Sequence, residues 1–243
     1  MTPDFRQPSH LPKVRGDAGD DPKGLPRQKH GTTPQMHGRY PSYDCLANAG
    51  HWDELTRGVI AKRVDEVPPL RFFDPPQAAT LTAFCDVMLA QDAEPRIPVL
   101  AFIDQKLEQG RLDGYQYADM PDDRETWQLV AEGLDETARR HGAPSFGAAP
   151  VELQQQITDE FSDGRASGAA WEKLSVEHAW SVVTRSMLAA FYSHPWAWNE
   201  IGFGGPAYPR GYARLGVGLS EAWEGDEAFE VDPVSDVRER GLE

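Results

Sequence analysis

Apolar residues recur at intervals of three and four through the middle of the chain, which is the spacing of a helix with one buried face. The clearest case begins at Asp74, a residue type that caps helices, and Pro75, which suits the first helical position. The apolar residues that follow are Leu81, Phe84, Cys85, Met88 and Leu89. This pattern predicts a helix with one face in a hydrophobic core.

The same spacing predicts four more helices. Their ranges are Val99 to Gln109, Asp123 to His141, a shorter helix after Pro150, and Ser175 to Ser193. Gly110 and Gly142 are typical helix ends, and Pro195 is expected to end the last helix. Between residues 43 and 67 a looser pattern predicts a short helix or a pair of turns. Its apolar positions are Leu46, Trp52, Leu55, Val59 and Ile60.

The chain has no convincing alternation of apolar and polar residues that would indicate a strand, and no repeat of fixed length. We therefore predict an all-α fold, an irregular helical bundle of about five to seven helices. An aromatic, Gly/Pro-rich C-terminal loop and disordered or extended tails complete it. The predicted organisation is a Pro/Gly-rich tail over residues 1–40, a single helical domain over 41–220 and an acidic tail over 221–243.

Charge is unevenly distributed along the 243 residues, whose net charge is −15. Residues 1–40 hold seven Lys and Arg against four Asp and Glu, whereas residues 221–243 hold nine acids against two Arg. The 180 residues between them therefore carry −11. Because so acidic a surface repels phosphate backbones and anionic lipid head groups, we do not expect nucleic acid as a partner.

Several other classes of protein do not fit the sequence. No apolar run approaches the roughly 20 residues that cross a bilayer, so direct membrane insertion is not expected. Two cysteines, Cys45 and Cys85, are too few for a disulfide framework or a four-thiolate cluster. His10, His30 and His37 have irregular spacing without the pattern of a metal site, so we interpret them as solvated.

The composition changes after the last predicted helix. Residues 191–212 contain seven aromatic side chains, while interspersed glycines and prolines exclude a long helix or strand. The aromatic residues are Phe191, Tyr192, Trp196, Trp198, Phe203, Tyr208 and Tyr212. A loop this aromatic cannot simply be solvated, so its rings must pack against something.

Three interpretations of this segment are open. In the first, its rings cap the core of the bundle and have no other role. In the second, part of the ring surface stays exposed as a protein interface, where Trp and Tyr are the usual anchors. The third is acid–base catalysis by His194 and Glu200, with Asn199 and Arg210 close in sequence. No nucleophile motif, metalloprotease motif or second carboxylate at a recognisable spacing supports the third.

The aromatic segment also carries a resemblance to a known family. The sequence HPWAWNEIGFGGPAYPRGY, preceded by a helix ending in AAFYS, resembles the C-terminal signature of the gluconate 2-dehydrogenase subunit 3 family. The stretch RFFDPPQAATLTAFCDVML, followed by QDAEPRIPVLAFID, is similar to the N-terminal helix pair of that family. The resemblance covers about residues 71 to 212.

This resemblance implies a role in a complex. Proteins of that family are small subunits whose large-subunit partner, of the glucose–methanol–choline oxidoreductase class, binds FAD and oxidises sugars or sugar acids. A cytochrome c subunit often accepts the electrons. The resemblance implies no catalytic residue, cofactor or metal in this chain and an interface that supports the large subunit. The matching interface residues are Trp196, Trp198, Asn199, Glu200, Ile201, Gly202, Phe203, Gly204, Gly205, Pro206 and Tyr208.

Two functional alternatives and the cellular location stay open at the level of sequence. The chain could be a transient folding or export chaperone that leaves the flavoprotein after FAD loading, or a stand-alone enzyme that uses His194 and Glu200. Exported members of the family carry a twin-arginine signal, which we do not find at this N-terminus. We therefore expect a cytoplasmic complex, with co-export to the periplasm or the exterior as the alternative. The sugar, the electron acceptor and the stoichiometry depend on the partner.

Overall fold

The computed structural model describes residues 43–91, 94–111, 116–209, 211 and 222–225, and within them the chain is helical. The α-helices are α1 (Glu54–Asp65), α2 (Pro75–Met88), α3 (Val99–Glu108), α4 (Asp123–Arg140), α5 (Val151–Ser162), α6 (Val176–Phe191) and α7 (Pro195–Glu200). Two 3-10 helices, Cys45–His51 and Trp171–Lys173, complete the described set. The described residues contain no strand and one isolated antiparallel pairing, Trp52 with Pro209. The predicted all-α class is confirmed.

The helix starts follow from their capping residues. Asp74 accepts a hydrogen bond from the Gln77 N–H at 2.8 Å, and the Gln77 side chain accepts one from the Asp74 N–H, a complete capping box. Ser175 caps α6 by accepting from the His178 N–H at 3.3 Å. After the C-terminal end of α4, Gly142 has a φ of +85°, the left-handed conformation that commonly ends helices.

The residue contacts divide the chain into two compact units. The terminal unit comprises Met1–Ile60 and Pro195–Glu243, and the central unit comprises Ala61–His194. Helix α1 begins in the first and ends in the second. The tail predicted for residues 1–40 and the domain boundaries at 41 and 220 lie outside the described residues, as does most of the predicted tail 221–243, and these stay predictions.

The central unit has an aromatic core built from helices α2 to α6. Helix α2 packs against α3, α4 and α5, and α6 packs against α3, α4 and α5. Phe84 of α2 lies at its centre, with ring centroids 6.0 to 6.5 Å from those of Phe146, Phe161 and Trp180. Burial of these rings is the main favourable contribution to folding in this unit.

Two carboxylates of the central unit, one buried and one partly buried, are satisfied by hydrogen bonds. Asp104, fully buried on α3, accepts from three consecutive backbone N–H groups, those of residues 71–73, at 2.7 to 3.0 Å. Asp135 accepts from the Thr80 hydroxyl and the Phe146 N–H at 2.6 and 2.9 Å. These bonds compensate for the water that the carboxylates lose on burial.

The structure corrects two details of the predicted elements. Helix α6 ends at Phe191, and Pro195 begins α7 instead of ending the preceding helix. A proline suits the first position of a helix because its missing N–H would have no partner there. In the looser segment, Trp52 and Ile60 are buried, but Leu55 and Val59 are 80% and 54% exposed, so helical spacing there does not mark one buried face.

Other features of the described residues bear on the classes considered above. Cys45 and Cys85 are free thiols, and both are buried. Within the described ranges no three His, Cys, Asp or Glu side chains converge as a metal site would require. In the same part of the chain no helix is both long and apolar enough to cross a membrane.

Candidate functional site

Helix α7 and the turn after it shape the aromatic segment. The Phe203 N–H donates to the Trp198 carbonyl at 2.9 Å, and the Gly202 N–H donates to the Asn199 carbonyl at 3.4 Å. Gly202 has a φ of +66°, and the Trp198 and Phe203 rings meet edge to face at 5.6 Å. These bonds, the glycine and the apolar contact together constitute a Schellman C-cap. The sequence WNEIGF therefore encodes a helix end.

The first 3-10 helix packs against α7. The Cys45 N–H donates to the Asn199 side-chain oxygen at 2.8 Å, and the Cys45 thiol donates to the Pro195 carbonyl at 3.4 Å. Burial and the neighbouring Asp44 raise the pKa of this thiol to about 12, so it stays protonated. Trp198 is 5% exposed in a cluster with Cys45, Trp52 and Ile60, where Tyr43, Leu46, Ala49 and Phe203 pack around it.

The glycines after the turn allow close approach of two tryptophans. A Cβ on Gly205, whose φ is +76°, would lie 2.5 Å from the Trp52 ring. A Cβ on Gly204 would lie 2.7 Å from the Trp223 carbonyl oxygen. That carbonyl also accepts hydrogen bonds from the Tyr43 hydroxyl and the Asn48 amide. Both glycines are therefore required by packing, since neither site has room for a side chain.

The eleven predicted interface residues divide by exposure. Trp198, Gly202, Gly204 and Gly205 are buried in the terminal unit. Trp196, Asn199, Glu200, Phe203 and Pro206 are half-buried. Ile201 and Tyr208 are 48% and 67% exposed. We use the name docking surface for the aromatic and branched aliphatic side chains that are at least partly accessible: Trp196, Ile201, Phe203 and Tyr208. Arg210 and Tyr212 lie outside the described residues.

Glu200 has an unusual ionisable side chain. Its Oε2 atom is buried without a hydrogen-bond partner among the described residues. Burial raises the pKa of the Glu200 carboxyl to about 7. At neutral pH the Glu200 carboxyl is therefore present in both its neutral and its charged form. A hydrogen-bond donor or a cation nearby would favour the charged form.

His194, the other residue of the catalytic interpretation, is a structural residue of the central unit. It is 1% exposed, and its Nε2 donates to the Arg63 carbonyl oxygen at 3.1 Å. Burial lowers its pKa to about 4, while that hydrogen bond acts weakly in the other direction. The ring is therefore neutral at physiological pH and has no open face toward a substrate, which speaks against its use in acid–base chemistry.

A separate cleft lies between α2 and α4 in the central unit. It has a volume of about 470 Å³, and its wall includes Asp74, Gln77, Glu125, Glu132, Asp135 and Arg139. Asp74 and Asp135 are already engaged in the capping box and in the bonds to Thr80 and Phe146. The lining contains no Ser, Cys or His.

Comparison with known proteins gives the class of this chain. Residues 75–205, more than half of the sequence, match the sequence profile of the family described as gluconate 2-dehydrogenase subunit 3. The chain belongs to that family, so it is related to a subunit of a dehydrogenase complex, as its sequence predicted. Comparison with curated proteins and with solved structures finds no match.

Proposed function

We propose that this chain is the non-catalytic small subunit of a FAD-dependent sugar or sugar-acid dehydrogenase, and that it binds and stabilises the large subunit through its docking surface. The large subunit would be of the glucose–methanol–choline class, and FAD would reside there. The observation that carries the proposal is a hydrogen-bonded turn within the family match that exposes Ile201, with Tyr208 also exposed three residues beyond the match.

The physical argument rests on preorganisation. The Schellman cap fixes the backbone of α7 and the turn, and the Cys45–Asn199 hydrogen bond attaches them to the 3-10 helix. Because the backbone is already ordered, binding would not have to offset the entropy of folding this loop. Exposed Ile and Tyr side chains on such a frame lose water on docking, which is the usual source of affinity at an interface core.

The buried members of the predicted interface would then act indirectly. Trp198, Gly204 and Gly205 hold the shape of the surface and do not offer side-chain area to a partner. The alternative of a stand-alone enzyme receives no support from His194, whose ring is enclosed. An accessory role needs no catalytic constellation.

Co-expression with the FAD-dependent large subunit tests the proposal. We expect the two chains to elute together in size exclusion and the large subunit to lose solubility or FAD content when it is expressed alone. Ile201→Ala and Tyr208→Ala should each weaken binding by about 2 kcal/mol if they are anchors, which is roughly a 30-fold rise in Kd. Binding is measured by titration calorimetry.

The matched control is Leu188→Ala on α6, because Leu188 is also a partly exposed apolar residue, at 42%, but lies in the central unit. It should leave Kd unchanged. Separate elution of a soluble, FAD-loaded and fully active large subunit would refute the accessory role. A large subunit that needs this chain during synthesis but is purified active without it would identify the chaperone alternative instead.

A further inference from the structure

Glu200 differs from two carboxylates of the central unit. Asp104 and Asp135 each have hydrogen-bond donors in place, whereas Oε2 of Glu200 has none. The other buried side-chain atoms without a partner in the described residues are the indole nitrogens of Trp52 and Trp127 and the Thr184 hydroxyl, which carry no charge. Glu200 is therefore the unsatisfied group for which burial costs most.

The position of Glu200 in α7 adds a second unfavourable effect. It is the last residue of the helix, where the exposed carbonyl groups make the local potential negative. A carboxylate is favourable at the opposite end. The neighbouring Asn199 illustrates the contrast, because its side-chain oxygen accepts a hydrogen bond from Cys45. Among the described residues, no hydrogen bond or ion pair stabilises the Glu200 carboxylate.

The charged groups around α7 do not compensate for it. The first 3-10 helix packs against α7; it carries Cys45 and His51 and has Asp44 at its N-cap. Burial is the cause of the raised pKa of Glu200, and none of these three groups contributes to it. The described residues also contain no set of ligands that would hold a metal ion here. The described residues therefore hold no partner for the Glu200 carboxylate.

We propose that Glu200 is the charged anchor of the docking surface and that its carboxylate accepts hydrogen bonds from an arginine or lysine side chain of the large subunit. The inference rests on the accessory role proposed above and identifies the chemistry of the partner at this site. A cationic group fits because a rotation of the part-buried Glu200 side chain would present the unpartnered carboxylate to its donors, and the cation would neutralise a charge that has lost water. The net charge of −15 on the chain favours the same choice.

The adjacent Ile201 explains how such a pair becomes specific. Its side chain is 48% exposed beside the carboxylate, so docking would remove water from both groups together. A carboxylate that meets a cation in an apolar, water-poor setting interacts more strongly than a surface ion pair. A partner without the cation would leave Glu200 buried and unpaired, which disfavours incorrect complexes.

The test uses the complex of this chain with its large subunit, with Kd measured at pH 6, 7 and 8. The wild-type complex should tighten as pH rises, because binding needs the charged carboxylate and releases a proton from the fraction that is neutral. Glu200→Gln should raise Kd at least tenfold at pH 8, less at pH 6, and flatten the pH profile. Glu108→Gln is the matched control, since Glu108 is also the last residue of a helix, α3, but is exposed.

The outcomes separate this inference from the proposed function. If wild type and Glu200→Gln bind equally tightly with the same pH profile, the anchor is refuted while the accessory role stands. If neither binds the large subunit, the accessory role itself fails. The isolated Glu200→Gln chain should be at least as stable toward urea as the wild type. A clear loss of stability would instead indicate a structural role and overturn the inference.

Discussion

Trp196 and Trp198 lie two residues apart on α7 and have different surroundings. Trp198 is 5% exposed in the cluster with Cys45, Trp52 and Ile60, whereas Trp196 is only half-buried. The sequence assigned both rings to one predicted interface because spacing cannot tell a buried ring from an accessible one on so short a helix. The difference depends on the 3-10 helix Cys45–His51, which packs against α7 although it lies more than 140 residues earlier in the chain.

Alanine substitutions should therefore separate folding from binding at these two sites. Trp198→Ala should lower the free energy of unfolding by about 3–5 kcal/mol, because it leaves a cavity that its neighbours cannot fill. Trp196→Ala should cost about 1 kcal/mol or less in folding and act mainly on Kd for the large subunit. Urea unfolding followed by tryptophan fluorescence, beside a binding titration, measures both. Equal stabilities of the two variants would contradict the assignment.

Glu200 shows what sequence could not predict at this scale. Its presence in the signature marks it as a residue of interest, and the sequence analysis considered it both as a base and as an interface residue. Its raised pKa arises from burial, and its lack of a partner depends on which donors the fold brings near. Neither property has a local signal in the order of amino acids.

At the scale of elements, boundaries with a capping chemistry were predictable and those without it were not. Asp74 with Gln77 and Ser175 gave the starts of α2 and α6 directly. Pro195 was misinterpreted because proline both follows helix ends and occupies first helical positions. The Schellman cap at residues 198–203 was visible in sequence only as Gly202, since its hydrogen bonds need the preceding helix to be recognised first.

Asp104 joins two elements of the central unit and supplies a prediction at this scale. Its carboxylate fixes the backbone of residues 71–73 just before α2 begins. Asp104→Asn preserves the shape but turns an NH₂ group toward N–H donors, so we expect a loss of about 2–3 kcal/mol of stability. Asp119→Asn is the control. Asp119 contacts His178 at 3.0 Å with a side chain that is 58% exposed, so its loss should cost under about 0.5 kcal/mol.

Chemical denaturation by urea measures this difference. A fall in midpoint for Asp104→Asn, with an unchanged dependence of the unfolding free energy on urea, is the expected result. If Asp104→Asn were as stable as Asp119→Asn, the three backbone bonds would not hold the entrance to α2. The contact between the Phe73 and Trp127 rings, whose centroids lie 6.3 Å apart in the same region, would then hold the backbone before α2.

At the scale of the whole molecule, the terminal unit was the part that sequence could not predict. It joins residues near both ends of the chain, and its contacts, such as Cys45 with Asn199 and Tyr43 with Trp223, span 154 and 180 positions. Periodicity reports local structure, so it predicted the helices of the central unit and gave no information on these pairings.

The two units contain titratable groups that act on stability in opposite directions. The pKa of His194 falls from 6.5 to about 4 on folding, so the native state binds fewer protons than the unfolded state and stability rises with pH between those values. The pKa of Glu200 rises from 4.5 to about 7, so the native state binds more protons there and stability falls as pH rises through that window.

The difference between wild type and variant isolates each contribution. Relative to wild type, Glu200→Gln should gain stability as pH increases from 4.5 to 7, by about 1 kcal/mol after allowance for solvent screening of a half-exposed group. The difference in unfolding free energy between His194→Gln and wild type should favour the variant most at pH 4. This difference should shrink as pH increases to 6.5. Urea midpoints at half-unit steps of pH measure both. Parallel profiles for wild type and either variant would contradict the corresponding assignment.

The packing of Trp52 and Trp223 against Gly205 and Gly204 has a consequence for how this family is delimited. The family match ends at residue 205, but the two glycines at its border are explained by tryptophans that lie outside it, at 52 and 223. A protein trimmed to the matched range would keep Gly204 and Gly205 and lose the two tryptophans that pack against them. In this chain the range of residues that identifies the family is therefore shorter than the range that must fold together.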